Sequence, residues 1–481
     1  MQSRALFLVV AAVAILGCGV VHDARKAQRR HASAGVGETV AERVAPKVDL
    51  RGAPLRAIAE FALANRPTML AAALAVEDAR LALKAIAADA PIASLTPWNA
   101  LGLSADAGYS EVSPQTKLRD LDHTRRGNAT GGLSLDLLVW DFGRNSALAK
   151  AQTEKVLAAE MALAGEGYKI FNEVATCYFT LLCNEALFEI SCTNELEYLE
   201  HLRQAENQLE LGEVKELDVL KARLDLAEAR QAIVAASNDV ITAGADLMAA
   251  MGVDAATGNA RTVVGLHPGA LARVLRVFPR TEFTDTDAFR LAATNAPAVK
   301  VARAKLRAAS AEVDYAIADL LPSVSASLSL DWVDPLWYWG WGVKAFQSLF
   351  SGFSRRTAIE RAVNALESAA AAIDHEEQTL SYDIALAVAE RDNAVEAERT
   401  ARVSVREARL NLETVKSQYE LGDVSRVDFT DAVGALVRSW GDLVKAYYRG
   451  QTAETKLFQL MGLDPEYLPE QWIEIDDAGG R

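Results

Sequence analysis

The sequence predicts a mainly α-helical protein with transmembrane β-hairpins, built as two copies of one unit within a single chain. Three observations predict it. A block running from Leu211-Gly212 to Met251-Gly252 recurs from Leu421-Gly422 to Met461-Gly462, 210 residues later at both ends (421−211 and 461−251). Two stretches, about Asn145–Leu211 and Arg355–Leu421, contain no proline and are rich in strong helix formers. Ahead of each lie segments in which polar and apolar residues alternate, the period of a strand with two different faces.

Inside the repeated block the same positions return: Val214/Val424, Asp218/Asp428, Ala222/Ala432, Leu226/Leu436 and Leu247/Leu457. The repeat argues for one architecture of two pseudo-equivalent halves, although 481 residues would otherwise suggest two or three separate domains. The formal net charge of −15, with no basic patch, excludes nucleic acid as a partner, because phosphate binding needs clustered Lys and Arg. No Ser/His/Asp, Cys/His or phosphate-loop pattern points to an enzyme, and the six histidines lack metal-ligand spacing. Neither a cofactor nor a metal is expected.

Residues 1–17 read as a targeting segment. Arg4 precedes the apolar run Ala5–Leu16, and Ile15-Leu16-Gly17-Cys18 resembles a bacterial lipoprotein signal, in which Cys18 would carry the lipid anchor. The alternative is an ordinary signal peptide with an incidental cysteine. Gly19 follows Cys18, so the aspartate linked to inner-membrane retention is absent. Residues 18–53 are polar and aperiodic, and read as an extended arm. Cys177, Cys183 and Cys192 fall within one predicted helix, too far apart along it to pair, and read as small buried hydrophobes.

The first repeat, 54–252, opens with a helix from Pro54 to about Ala90, punctuated by Asn65-Arg66-Pro67. The second, 285–462, opens with a helix from Asp285 to Leu320, punctuated by Asn295-Ala296-Pro297. Each helix stops at a proline, Pro91 or Pro322. Strands are then predicted within about 101–140 and 323–347: Leu101–Tyr109 returning at Gly131–Trp140, and Ser323–Trp332 returning at Trp339–Ala345. Alternation over nine or ten residues suits a membrane-spanning strand, and suits a soluble hairpin with one wet face equally well. Trp332, Trp337, Tyr338, Trp339 and Trp341 favour the membrane, where such residues gather at the interface.

Each proline-free stretch then makes about 100 Å of helix. Heptad spacing appears at Val405, Ala408, Leu412, Val415 and Tyr419, and in the other copy at Tyr198, Leu202, Ala205 and Leu209. After a tight turn the return helices carry Phe429, Val433, Leu436, Trp440 and Leu443, or Val219, Ala222, Leu226, Ala229 and Ile233. Such ladders require a facing helix. Gly212 and Gly422 stand where a helix C-cap belongs. Segment 253–284 between the repeats and the tail 463–481 should form smaller side structure.

Two hairpins give four strands, and an open four-stranded sheet cannot stand in lipid with its edges unpaired. Chains must therefore pool strands into a barrel and helices into a tube. The doubled order of Asn-x-Pro opening, Trp140-Asp-Phe-Gly-Arg144 or Phe353-Ser-Arg-Arg356 junction and Leu-Gly-x-Val…Asp turn resembles the TolC-type outer-membrane factors, over about residues 54–464. The resemblance implies a homotrimer, with a shared twelve-stranded outer-membrane β-barrel continuing into a periplasmic α-barrel. It implies an adaptor docking at the helical tips (Leu211, Gly212 and Val214; Leu421, Gly422 and Val424) and an inner-membrane pump supplying cargo. The lipoprotein signal resembles the branch serving resistance–nodulation–division pumps. An ABC exporter in type I protein secretion is the alternative, and a soluble periplasmic coiled-coil scaffold the alternative of another class.

The resemblance also places a gate at the tip. Tyr419 matches a tyrosine that holds the entrance shut, Asp428 and Asp431 match paired acidic positions, and Asp218 matches another gate aspartate. In a trimer the carboxylates would form rings that select cations. Asp218 and Asp428 also sit where an aspartate caps a helix start. The arginine expected shortly after the second turn's glycine is Val424 here, leaving Arg426 as the nearest basic residue.

Overall fold

The computed structural model describes residues 54–88, 101–111, 127–212, 214–253, 273–276, 284–333, 336–347, 353–421, 423–463 and 471–474, besides Ala24. The targeting segment with Cys18, the rest of the arm, Gly422 and the Asp334-Pro335 turn lie outside them. Both repeats have one element order. Helices α1 (Leu55–Asn65) and α2 (Pro67–Ala88) lead to strands β1 (Leu101–Glu111) and β2 (Gly127–Trp140), then to α3 (Arg144–Glu210) and α4 (Glu216–Ala250). After β3 (Arg273–Arg276), the second repeat gives α5 (Asp285–Asn295), α6 (Pro297–Ala318), β4 (Ser323–Val333), β5 (Leu336–Phe346), α7 (Ser354–Glu420) and α8 (Arg426–Met461). Strand β6 (Gln471–Glu474) pairs antiparallel with β3, joining the inter-repeat segment to the tail.

Helices α3 and α7 are each 67 residues long, about 100 Å at 1.5 Å per residue. Each packs along its return helix, α3 on α4 and α7 on α8, and α8 also packs on α3, bringing the two hairpins together. The main core lies where α1, α5, the middle of α3 and α7 and the far ends of α4 and α8 meet, around Leu55, Ile170, Phe179, Met248, Ile384 and Leu457. A small second core, Ala205, Val219 and Ala222, joins α3 to α4 towards the tip.

The repeated glycines and the repeated Asn-x-Pro motifs prove to be partners. Met251-Gly252 and Met461-Gly462 end α4 and α8 with left-handed glycines, φ +76° and +60°. The N–H of Val253 donates to Met248 O, and that of Leu463 to Phe458 O, closing both ends as Schellman turns. Gly252 then lies against the backbone of Asn65 and Arg66, and Gly462 against Asn295 and Pro297. A Cβ at Gly462 would stand 2.7 Å from Asn295 O. Each repeat thus closes by seating the end of its last helix on the break in its first.

The heptad frame needs one correction. On α4 and α8, Val219, Ala222, Leu226, Ala229, Phe429, Val433 and Leu443 are buried as the spacing requires. On α3, Ala205 is buried but Leu209 is exposed, and His201 rather than Leu202 is the fully covered neighbour. Leu202 still packs, half-buried, on the Ala205, Val219 and Ala222 core, and His201 is covered because its imidazole lies between aromatic rings.

Candidate functional site: the sheet face and the helical tip

The four long strands form one antiparallel sheet in the order β1-β2-β4-β5. Its register sorts the positions by face. Leu103, Leu135, Leu328 and Trp341 form one row, and Ala105, Leu133, Leu330 and Trp339 the next. The alternate rows read Ser104, Ser134, Ser329, Gly340 and then Gly102, Asp136, Ser327, Gly342. By register, one set of rows is apolar and the alternate set polar. In the single chain this face is uncovered along β4 and β5: Trp339 and Trp341 are each 74% exposed, Trp337 50%, Val343 66% and Leu328 49%.

Trp337, Trp339 and Trp341 stand at every second position of β5 and share the apolar face. Trp332 lies opposite Trp337 in the register. Tyr338 belongs to the other face, opposite Asp331, so the strand period separates it from the tryptophans grouped with it in the sequence. No helix among the described residues is long and apolar enough to cross a membrane, and β1 and β5 have no further strand beside them among those residues.

Two strand-to-helix junctions hold this sheet on the long helices. In the first, buried Asp141 accepts hydrogen bonds from the N–H groups of Gly143 (3.1 Å) and Asn145 (2.7 Å), capping α3. Phe142 and Gly143 take left-handed backbone, φ 53° and 91°, and Phe353 does so before α7, φ 64°. A left-handed phenylalanine is strained by about 1–2 kcal/mol, so the surroundings must enforce it. Asp319, at the end of α6, faces Arg144 at 3.3 Å and Arg355 at 3.5 Å. One carboxylate thus ties the starts of both long helices together. Asp141 stood in the sequence within the Trp140–Arg144 junction, without its capping bonds being legible, and Asp319 gave no distinctive signal because its partners are distant in the chain.

At the opposite end are the turns. Gly212 is left-handed, φ +77°, after α3 ends at Glu210. Asp218 is half-buried, and its Oδ2 accepts from the Lys215 N–H at 3.3 Å. In the second copy, Asp428 Oδ2 accepts from the Ser425 N–H (3.1 Å) and Oγ–H (2.7 Å), while the Asp428 N–H donates to Ser425 Oγ at 3.4 Å. Both aspartates therefore cap their helices, and at Ser425 a hydroxyl completes the reciprocal box. Asp431, one turn further along α8, is exposed. Tyr198 of α3 has its phenol pushed up, chiefly by burial, then by Asp225 and Glu228 of α4, with Asp431 adding and Arg438 opposing. Leu211 and Leu421 are each 74% exposed at the turns, Val214 and Val424 are half-buried, and the Arg426 side chain lies outside the described residues.

Tyr419 is half-buried and lies against two other rings: Phe429 at 5.4 Å and His201 at 5.9 Å between centroids. His201 and Phe429 stack at 5.6 Å, with their planes 14° apart. The thiols of Cys177, Cys183 and Cys192 are free; burial pushes Cys183 up to about 11 and raises Cys177, to which Asp246 and Glu173 add.

An amphipathic sheet with a bare apolar face, carried on paired helices about 100 Å long, defines a membrane-embedded sheet protein of the channel class. The chain belongs to the outer membrane efflux protein family, which matches residues 58–253 and 288–463, one repeat each. It is an outer-membrane protein of mainly helical fold. Over 94 residues it is 35% identical to the solvent efflux pump outer membrane protein SrpC of Pseudomonas putida; that match spans 19% of this chain and 20% of SrpC. Over 363 residues it is 24% identical to the toluene efflux pump outer membrane protein TtgC of Pseudomonas putida, 70% of this chain and 69% of TtgC. The solved outer membrane protein VceC of Vibrio cholerae shares the fold at a TM-score of 0.70 and 19% identity, covering 85% of this chain and 96% of VceC.

Proposed function

We propose that the chain is the outer-membrane conduit of a tripartite efflux system, passively passing cargo that an inner-membrane pump delivers through a periplasmic adaptor. The observation that carries this reading is the open sheet, apolar on one face and polar on the other, with two edges to satisfy. In lipid those edges must pair, and three copies of four strands make a closed barrel of the size the family resemblance implies. The long helices then close likewise into a tube leading away from the membrane. The efflux names of SrpC and TtgC favour an efflux pump over a secretion exporter. The apolar face would meet lipid with Trp337, Trp339 and Trp341, and the polar face would line the water-filled duct. Residues 54–252 and 285–462 serve as the two repeats, and Cys18, after a signal of residues 1–17, as the lipid anchor. Leu211, Leu421 and their flanking valines would receive the adaptor, and Asp431 would supply the carboxylate ring of the entrance. Asp428 and Asp218 contribute to that ring chiefly by setting the helix starts.

Deleting the gene in the bacterium that carries it tests this directly. Intracellular accumulation of a fluorescent efflux dye should rise, and a plasmid copy should reverse the rise. Unchanged accumulation, with the protein shown to be present in the parent strain, overturns the reading.

A further inference from the structure

We propose that His201, Tyr419 and Phe429 form an aromatic latch that fixes the tip of the second helical hairpin on the first, with His201 as the positioning residue for Tyr419. The three rings lie 5.4, 5.6 and 5.9 Å apart with interplanar angles of 23°, 14° and 34°, a compact stack rather than chance contacts. They come from three elements: His201 from α3, Tyr419 from the last turn of α7, and Phe429 from the first turn of α8. His201 is 2% exposed and Phe429 7%, so two of the three rings are shut off from water where the hairpins meet, and Tyr419 is half-buried beside them.

The repeat shows that the stack was added to the common frame. At the positions 210 residues earlier, Tyr419 and Phe429 correspond to Leu209 and Val219, and His201 corresponds to Asn411 in the other copy. Leu209 is exposed and Val219 packs with Ala205 and Ala222, so the first hairpin closes on itself through aliphatic contacts. The second hairpin instead places two rings where they reach a third ring on its neighbour. A histidine at this buried position fits this reading, because it supplies a flat ring where a leucine would supply only bulk.

The consequence concerns the end of α7. Tyr419 stands two residues before Leu421, so the stack sets the direction in which that turn projects. Swinging the second hairpin away from the first must separate His201 from both rings. The packing of the second hairpin on the first at this tip is therefore stabilised by ring stacking that salt does not screen, unlike an exposed ion pair.

The proposal rests on the reading of this tip as the channel entrance, and the test separates the two. Full-length wild type, His201→Ala and His201→Phe would be purified in detergent and compared in three ways. Backbone hydrogen exchange across residues 412–421 should speed up about tenfold in His201→Ala, and return to the wild-type rate in His201→Phe, which keeps a flat ring. In planar bilayers His201→Ala should raise the time-averaged conductance about tenfold, and 1 M salt should leave the difference in place. Thermal melting of the helices should be nearly equal in all three. Wild-type exchange in His201→Ala, or His201→Phe behaving as His201→Ala, overturns the latch. A wild-type protein with no conductance at all overturns the channel reading, and the exchange measurement still decides the latch.

Discussion

Three glycines share the left-handed backbone of a helix end but differ in what surrounds them, and replacing each by alanine separates conformation from contact. Gly212, φ +77°, has nothing within 4 Å of the place a Cβ would occupy. At Gly252, φ +76°, a Cβ would meet Arg66 Cα at 3.3 Å, and at Gly462, φ +60°, it would meet Asn295 O at 2.7 Å and Pro297 Cδ at 2.9 Å. All three substitutions carry the left-handed cost of about 1–2 kcal/mol for an L side chain. Gly212→Ala should show that cost alone. Gly462→Ala adds an overpacking cost of about 1–3 kcal/mol, because the opposing atoms are backbone and a proline ring that cannot rotate aside. Its total is therefore about 2–5 kcal/mol, with Gly252→Ala between the two. The assay is the thermal loss of helical circular dichroism of the detergent-solubilised, full-length proteins. The midpoints should fall in the order Gly212→Ala, Gly252→Ala, Gly462→Ala, the last lowest. Equal midpoints for Gly462→Ala and Gly212→Ala would refute the seating of α8 on the Asn-x-Pro break.

Other expectations follow from the same geometry. Asp431→Asn should lower cation selectivity and cation block in a planar bilayer, and adding Asp428→Asn should change little more, since Asp428 is held by Ser425 and asparagine still caps. Unchanged selectivity in the double variant removes the carboxylate ring. Cys18→Ser should abolish incorporation of labelled lipid, and persistent labelling rules Cys18 out as the anchor. Burial holds the Cys183 thiol up at about 11, so it stays protonated at neutral pH and only the thiolate reacts. Its alkylation at pH 8 should be roughly a hundredfold slower than that of a free thiol and climb towards pH 11, as followed by peptide mass; fast labelling at pH 8 contradicts its burial.

Much of this architecture was legible in the chain because its signals are periodic and doubled. The absence of proline set the long helices to within a residue or two, Arg144–Glu210 and Ser354–Glu420. Alternation placed four strands, although β5 begins at Leu336, earlier than the clustered tryptophans suggested. Glycine after a heptad run gave the turn at Gly212, and Asp218 and Asp428 stood where an aspartate caps a helix start, while the part of Ser425 emerged only in the fold. What escaped the sequence depends on contacts between distant segments. Asp319 binds Arg144 and Arg355 across both repeats, and no local pattern announces an ion pair spanning 175 residues. His201 looked like one of six scattered histidines until Tyr419 and Phe429 stood beside it. Gly252 and Gly462 were visible as repeats, but their seats, Asn65-Arg66 and Asn295-Pro297, lie at the far end of each unit. The left-handed backbone of Phe142 and Phe353 has no signature in side-chain type, since phenylalanine rarely adopts it.

The central claim is that the bare apolar sheet face meets lipid and its open edges pair with further copies to enclose water. Adding the purified full-length protein to a planar lipid bilayer and recording current measures that enclosure. Discrete, uniform conductance steps that persist at steady voltage are expected. A protein that inserts and yields no steps, or only irregular leakage, would contradict the claim.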